Sequence, residues 1–168
     1  MNYHKELGCK SHIEKWLIQE NIEHNTINEP NHAFHFILKN NLTGIEIFQE
    51  KNSSDVIVGI MIFLSNELNY KIYKFTQIEK EKFKIKVDDF LSTVRVDYRI
   101  GFSVNYELFN DNGHYGAKYF IKTKANLCDK EKLLKIIAQV MNTRIRSDEF
   151  LNSMLKNKTF NDIQIIPN

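Results

Sequence analysis

The longest apolar run in the chain is Val56 to Leu64, and it sets the architecture. The run is strand-sized, β-branched and apolar at both parities. Such a segment needs cover on both of its faces, which places it in the interior of a sheet. Its neighbours are read from alternation. Upstream, Phe34, Phe36 and Leu38 alternate with His35 and Ile37, and Ile45 and Ile47 alternate with Glu46 and Phe48. Asn40-Asn41 with Gly44, then Asn52-Ser53-Ser54-Asp55, supply turn residues between these runs. Gaps this short favour antiparallel hairpins over crossovers. Downstream, Ile100, Phe102, Val104, Tyr106 and Leu108 alternate with polar neighbours. Tyr115, Ala117, Tyr119 and Ile121 return after Asn110-Asp111-Asn112-Gly113, whose Asn and Gly tolerate the positive φ of a hairpin turn.

The helices announce themselves by caps and period. Ser11 and Glu14 have capping-box spacing, and Ile13, Trp16 and Leu17 follow on one face. This predicts a first helix from Ser11 to about Asn21, preceded by a mobile N-terminus over 1–10. Leu68, Ile72 and Phe75 form one helical stripe, and Phe83, Val87, Phe90, Leu91 and Val94 form another. Thr76 and Glu79 between them predict a break, so the region from about Ser65 to Val96 reads as a short helix and a long one. Asp129 is the expected N-cap of a last helix carrying Leu133, Ile137, Val140 and Met141, continued by Leu151 and Leu155. The tail 158–168 keeps Phe160, Ile163, Ile165 and Ile166 and is apolar enough to dock.

The expected fold is therefore one α+β domain over residues 1–168. It has a five-stranded antiparallel sheet with helices on one face, in the order α-β-β-β-α(α)-β-β-α. The chain has 168 residues, enough to bury a core without disulfides or metals. Its two cysteines, Cys9 and Cys128, are read as reduced thiols. Met1 to Lys10 has no apolar core for a secretory signal, and no stretch of ~18 apolar residues exists to span a membrane. A cytoplasmic protein is expected. The balance of 23 basic and 21 acidic residues gives no field for strong nonspecific nucleic-acid binding.

The element order resembles the type III secretion chaperone-like fold, which includes the YbjN-type bacterial proteins. The residues that carry the resemblance are Ile13-Glu14-Lys15-Trp16-Leu17, Pro30 to Phe36 with its Phe-His-Phe, and Val56 to Phe63 followed by Ser65 and Glu67. The opening stretch is similar to that of an uncharacterised archaeal family with this layout. The resemblance implies a homodimeric binding module without catalysis. It transfers no functional residue.

Each candidate site in the sequence has a plain structural explanation. His24, His32 and His35 are metal-ligand types, but strand residues three apart face opposite sides, so His32 and His35 are expected to diverge. His4, Cys9 and His12 match no closed four-ligand spacing. Asp88 and Asp89 point about 100° apart on a helix and do not pair, and Glu46 offers a lone carboxylate. Asp111-Asn112-Gly113 lacks the rest of a calcium loop and is explained as a turn. No G-x-S-x-G elbow, P-loop or G-x-G-x-x-G occurs. No catalytic, cofactor or metal residue is assigned.

Two features remain. Lys118, Lys122 and Lys124 share a strand parity with Phe120, a pattern able to hold a nucleic-acid strand, although lysines also discourage edge pairing. Phe36 with Ile37, Ile47 with Phe48, and Phe120 with Ile121 make both strand faces apolar, whereas an open antiparallel sheet should be wet on one side. A second copy of the chain is the favoured cover, with a protein or peptide client as the other use of the surface. The leading functional reading is thus a non-enzymatic, homodimeric protein-binding or chaperone-like module. A nucleic-acid-binding domain on the Lys118, Phe120, Lys122, Lys124 face, or an enzyme with an unrecognised site, are the alternatives.

Overall fold

The computed structural model describes residues 3–93, 103–111 and 114–156. In chain order the elements are α1 (Tyr3–Gln19), β1 (His24–Thr26), β2 (His32–Leu38), β3 (Ile45–Glu50), β4 (Asp55–Phe63), α2 (Asn66–Tyr73), α3 (Gln77–Thr93), β5 (Ser103–Asp111), β6 (His114–Lys124) and α4 (Lys130–Lys156). Among the described residues the strands form one sheet in the order β1-β2-β3-β4-β6-β5, with every neighbouring pair antiparallel. Five of these strands are the expected ones. The apolar run became β4, held between β3 and β6.

One face of the sheet carries the core. Phe34, Phe36 and Leu38 of β2, Ile45 and Ile47 of β3, alternate residues of β4, and Tyr119 and Ile121 of β6 are buried there. They pack against Ile13 and Leu17 of α1 and Leu133, Ile136, Ile137 and Val140 of α4. Tyr119 is fully buried, and its hydroxyl bonds the side chains of Thr143 and Gln139 on α4. A second cluster joins Leu68 and Ile72 of α2, Phe83 and Val87 of α3, Ala117 of β6 and Met154 of α4. Phe90 and Phe150 stack beside it, with ring centroids 4.2 Å apart and planes 2° off parallel. The described helices therefore layer on one side, as the α+β pattern predicts.

Two caps behave as read, at Thr76 and Asp129, and Ser65 supplies a third that the sequence reading did not name. The Ser65 hydroxyl accepts the Leu68 N–H, and Asp129 Oδ1 accepts the Lys132 N–H at 2.8 Å. At the start of α3 the Thr76 N–H donates to Glu79 Oε2 at 2.7 Å, and the Glu79 N–H donates back to Thr76 Oγ1 at 3.3 Å. The first helix differs. It begins at Tyr3, so Ser11 lies inside it and caps nothing at its start, and 3–10 is helical. Once Ile13 and Leu17 anchor the helix on the sheet, each upstream residue adds a backbone bond at little entropic cost, and no proline stops it. A second difference is β1. Its residues His24, Asn25 and Thr26 show no apolar alternation, and the strand forms by pairing with the edge of β2. The Asn112-Gly113 turn, the 94–102 connection and the 158–168 tail lie outside the described residues. So do the side chains of His4, of β5 and of Leu91 and Leu155.

Candidate functional site

The face of the sheet opposite the described helices holds a shallow trough of about 300 Å³. Its floor is apolar: Ile57, Gly59 and Met61 of β4 lie between Phe48 of β3 and Phe120 of β6. Gly59 and Phe120 are direct cross-strand partners. The strands approach so closely there that a Cβ on residue 59 would stand 2.9 Å from Phe120 Cβ and 3.1 Å from the Tyr119 carbonyl oxygen. Part of this face is dry, since Ile57 is buried and Phe48 and Phe120 are half-buried, while Phe63 at its end is 56% exposed.

The walls of the trough carry opposite charge. Glu46 and Glu50 stand on β3, and Lys118 and Lys122 stand on β6. Lys122 Nζ also sits 5.4 Å from the Phe120 ring centroid, within cation–π range. Lys124, at the end of β6, is held by Asp55 at 2.6 Å and by Ser54 Oγ at 3.1 Å. The structure thus puts Lys118, Phe120 and Lys122 together as their shared parity requires, and commits Lys124 to a neighbouring carboxylate.

At one corner of the same face the histidines depart from expectation. The register of β2 on β3 slips at Ala33: His32 pairs with Glu50, Phe34 with Gln49 and His35 with Phe48. Two residues of β2 oppose one of β3, which is a β-bulge. The extra residue turns the three-residue spacing of His32 and His35 into an effective spacing of two. Both imidazoles therefore lie on the open face, with ring centroids 5.1 Å apart, and do not diverge. Phe48 packs against both rings.

Carboxylates approach this pair from two sides. His35 Nε2–H donates to Glu46 Oε2 at 3.0 Å. Glu29, from the loop between β1 and β2, places Oε2 at 2.8 Å from His32 Nδ1 and Oε1 at 3.4 Å from His35 Nδ1. The side chain of His35 is only 6% exposed and that of His32 16%, while Glu29 is 44% exposed. The two Nδ1 atoms are buried, and neither makes a hydrogen bond. The nearby Glu29 oxygens are within ion-pair distance but off the line that an N–H would need.

The other candidates stay apart. His24 pairs across from Leu38 on the core side, edge-on to Phe36 at 5.0 Å. It leaves the His32 and His35 group. His12 stacks on Trp16, and Cys9 packs against the main core. Burial pushes the Cys9 thiol up, and burial, then the adjacent Cys9, pushes the Cys128 thiol up to about 12. Asp88 and Asp89 lie on α3, across the sheet from Glu46. Glu29 had no sequence signal, because its role depends on a loop folding back over β2.

These features define an α+β protein with helices on one side of an antiparallel sheet and a charged trough with an imidazole–carboxylate corner on the other. Residues 9–151 match the family described as "Uncharacterized conserved protein (DUF2299)", and the chain belongs to that family. The solved structure of an uncharacterized protein from Methanothermobacter thermautotrophicus is similar, with a TM-score of 0.72 and 16% identity over 88% of this chain and 99% of that one. That likeness is one of fold. No curated protein matches the sequence. Among the described residues, no helix is long and apolar enough to cross a membrane.

Proposed function

We propose that the chain is a homodimeric, non-catalytic binding module of the chaperone-like kind, in which two copies face each other across the trough. The observation that carries this reading is the arrangement of charge. The acidic wall is on β3, the basic wall is on β6, and the apolar floor on β4 lies between them. A two-fold axis running along β4 between two facing sheets lays β6 of each copy over β3 of the other. Lys118 and Lys122 then lie over the strand that carries Glu46 and Glu50 of the other copy, while Met61 and Phe63, on the axis strand, face their own counterparts. An axis across the strands would set lysine against lysine. The same patch is thus self-complementary in one orientation only, as an isologous interface requires. Facing sheets pack at about 10 Å, a spacing that apolar side chains of this size fill.

Sedimentation velocity over a concentration series tests the reading. The wild type should dimerise. Lys118→Glu with Lys122→Glu should weaken the dimer by about two orders of magnitude, because facing like charges cost several kcal/mol. Adding Glu50→Lys to that variant should restore association. A wild type that stays monomeric throughout, or a charge reversal without effect, sinks the proposal. So does a monomer that binds single-stranded nucleic acid at low salt through Lys118, Phe120, Lys122 and Lys124, which would favour the alternative use of this face.

A further inference from the structure

We propose that Glu29, His32 and His35 bind one divalent transition-metal ion of the zinc class, with Glu46 as the carboxylate that sets the ligating form of His35. Four observations converge on it. First, one ligand atom from each of Glu29, His32 and His35 lies within 4.8 Å of the others. Ligands bonded to one zinc at about 2.0–2.2 Å stand roughly 3.3 Å apart, so small side-chain rotations close the set.

Second, the Nδ1 atoms of His32 and His35 are buried without a hydrogen bond. A buried polar atom left unpaired costs about 1–3 kcal/mol, and native proteins rarely leave two of them side by side. A cation between these lone pairs and the Glu29 carboxylate would satisfy both at once. A simple histidine–glutamate hydrogen bond does not account for the site, because the Glu29 oxygens are not aligned with the ring N–H directions.

Third, His35 has the partner that a metal ligand needs on its far side. Its Nε2–H donates to Glu46 Oε2 at 3.0 Å, so the proton is held at Nε2 and the Nδ1 lone pair faces His32 and Glu29. Carboxylates behind ligating imidazoles fix the tautomer and raise the basicity of the ring in this way. Fourth, the site is built by a bulge. Without the extra residue at Ala33, His32 would point into the core side and the cluster could not exist.

The donor set selects the ion. Two imidazole nitrogens and one carboxylate suit zinc and its neighbours in the first transition row, whereas calcium and magnesium take oxygen ligands. Three protein ligands leave a coordination position for water or a small molecule. Glu29 and His32 also line a pocket of about 310 Å³ with Asn28, Pro30 and Ala33.

The test uses the full chain without a histidine tag, stripped with a chelator and titrated with Zn²⁺ by calorimetry. Saturable binding of one ion per chain is expected, with Mg²⁺ failing to compete. Co²⁺ should give visible d–d bands of a low-coordinate site. Glu29→Gln and His32→Ala alter partly exposed side chains and should keep the fold, as circular dichroism will report. Each should abolish saturable binding. Glu46→Gln should weaken it by about 10–100-fold, the usual effect of losing a carboxylate behind a ligating histidine. His24→Ala should change nothing. Absence of saturable Zn²⁺ binding overturns the proposal, as does binding that survives His32→Ala or that is lost with His24→Ala.

Discussion

Gly59 is the position where a single added carbon has the clearest expected effect. In Gly59→Ala the new Cβ would meet Phe120 Cβ at 2.9 Å and the Tyr119 carbonyl oxygen at 3.1 Å. Neither atom is the free end of a side chain, so relief requires β6 to move away from β4. Inserting a carbon into such a contact costs about 1–3 kcal/mol. Removing a glycine from a strand interior recovers about 0.5–1 kcal/mol of backbone entropy. The difference is a net loss of about 1 kcal/mol. With a urea m-value of about 2 kcal/mol/M, the midpoint should fall by about 0.5 M at unchanged slope. The companion experiment places Gly59→Ala in a Phe120→Gly background, where the tighter contact is gone. The cost should shrink there, giving a coupling between the two positions. A Gly59→Ala protein as stable as the wild type, or an equal cost in both backgrounds, would show that close strand approach is not why glycine stands at 59.

Two further outcomes are expected. The bonds from the Thr76 backbone and hydroxyl hold the Glu79 carboxyl below the ordinary value of 4.5. A carboxyl lowered on folding contributes stability above its unfolded pKa and loses it as pH falls through the folded value. Glu79→Gln should therefore flatten acid unfolding below about pH 4.5, and an unchanged acid limb in a pH series of thermal melts would contradict the capping geometry. Cys128, with its thiol pushed up to about 12, should carry about a thousandfold less thiolate at pH 8 than a thiol at the ordinary 9.0. Disulfide-exchange reagents should therefore label it only after urea unfolding, and fast labelling of the native chain at Cys128 would refute its burial.

What could be read from sequence was whatever local chemistry determines. The alternation around Phe36, Ile47 and Tyr119, the break at Thr76 and the cap at Asp129 each depend on residues within a few positions of one another. The parts that were missed depend on distant contacts. Ser11 and Glu14 have the spacing of a cap, but a helix already anchored by Ile13 and Leu17 runs back through them to Tyr3. His24 to Thr26 became a strand because β2 offered it an edge. In a regular strand His32 and His35 face opposite sides, so the spacing alone argues against the histidine corner. The bulge at Ala33 breaks that rule, and it is set by the pairing with β3, not by the composition of β2. The excess of apolar residues on both strand faces was visible, but the division of the open face into an acidic and a basic wall needed the strand order, which places β3 and β6 on either side of β4.

Helix α4 has a consequence for how the molecule comes apart. It runs unbroken for 27 residues, about 40 Å, and supplies Leu133, Ile136 and Val140 to one apolar cluster and Met154 to the other. A rod shared by two cores ties their fates together. Neither cluster can melt without stripping cover from the helix that completes its neighbour, so the α2–α3 end and the α1 end form one cooperative unit, and a destabilising change at either is felt by the whole.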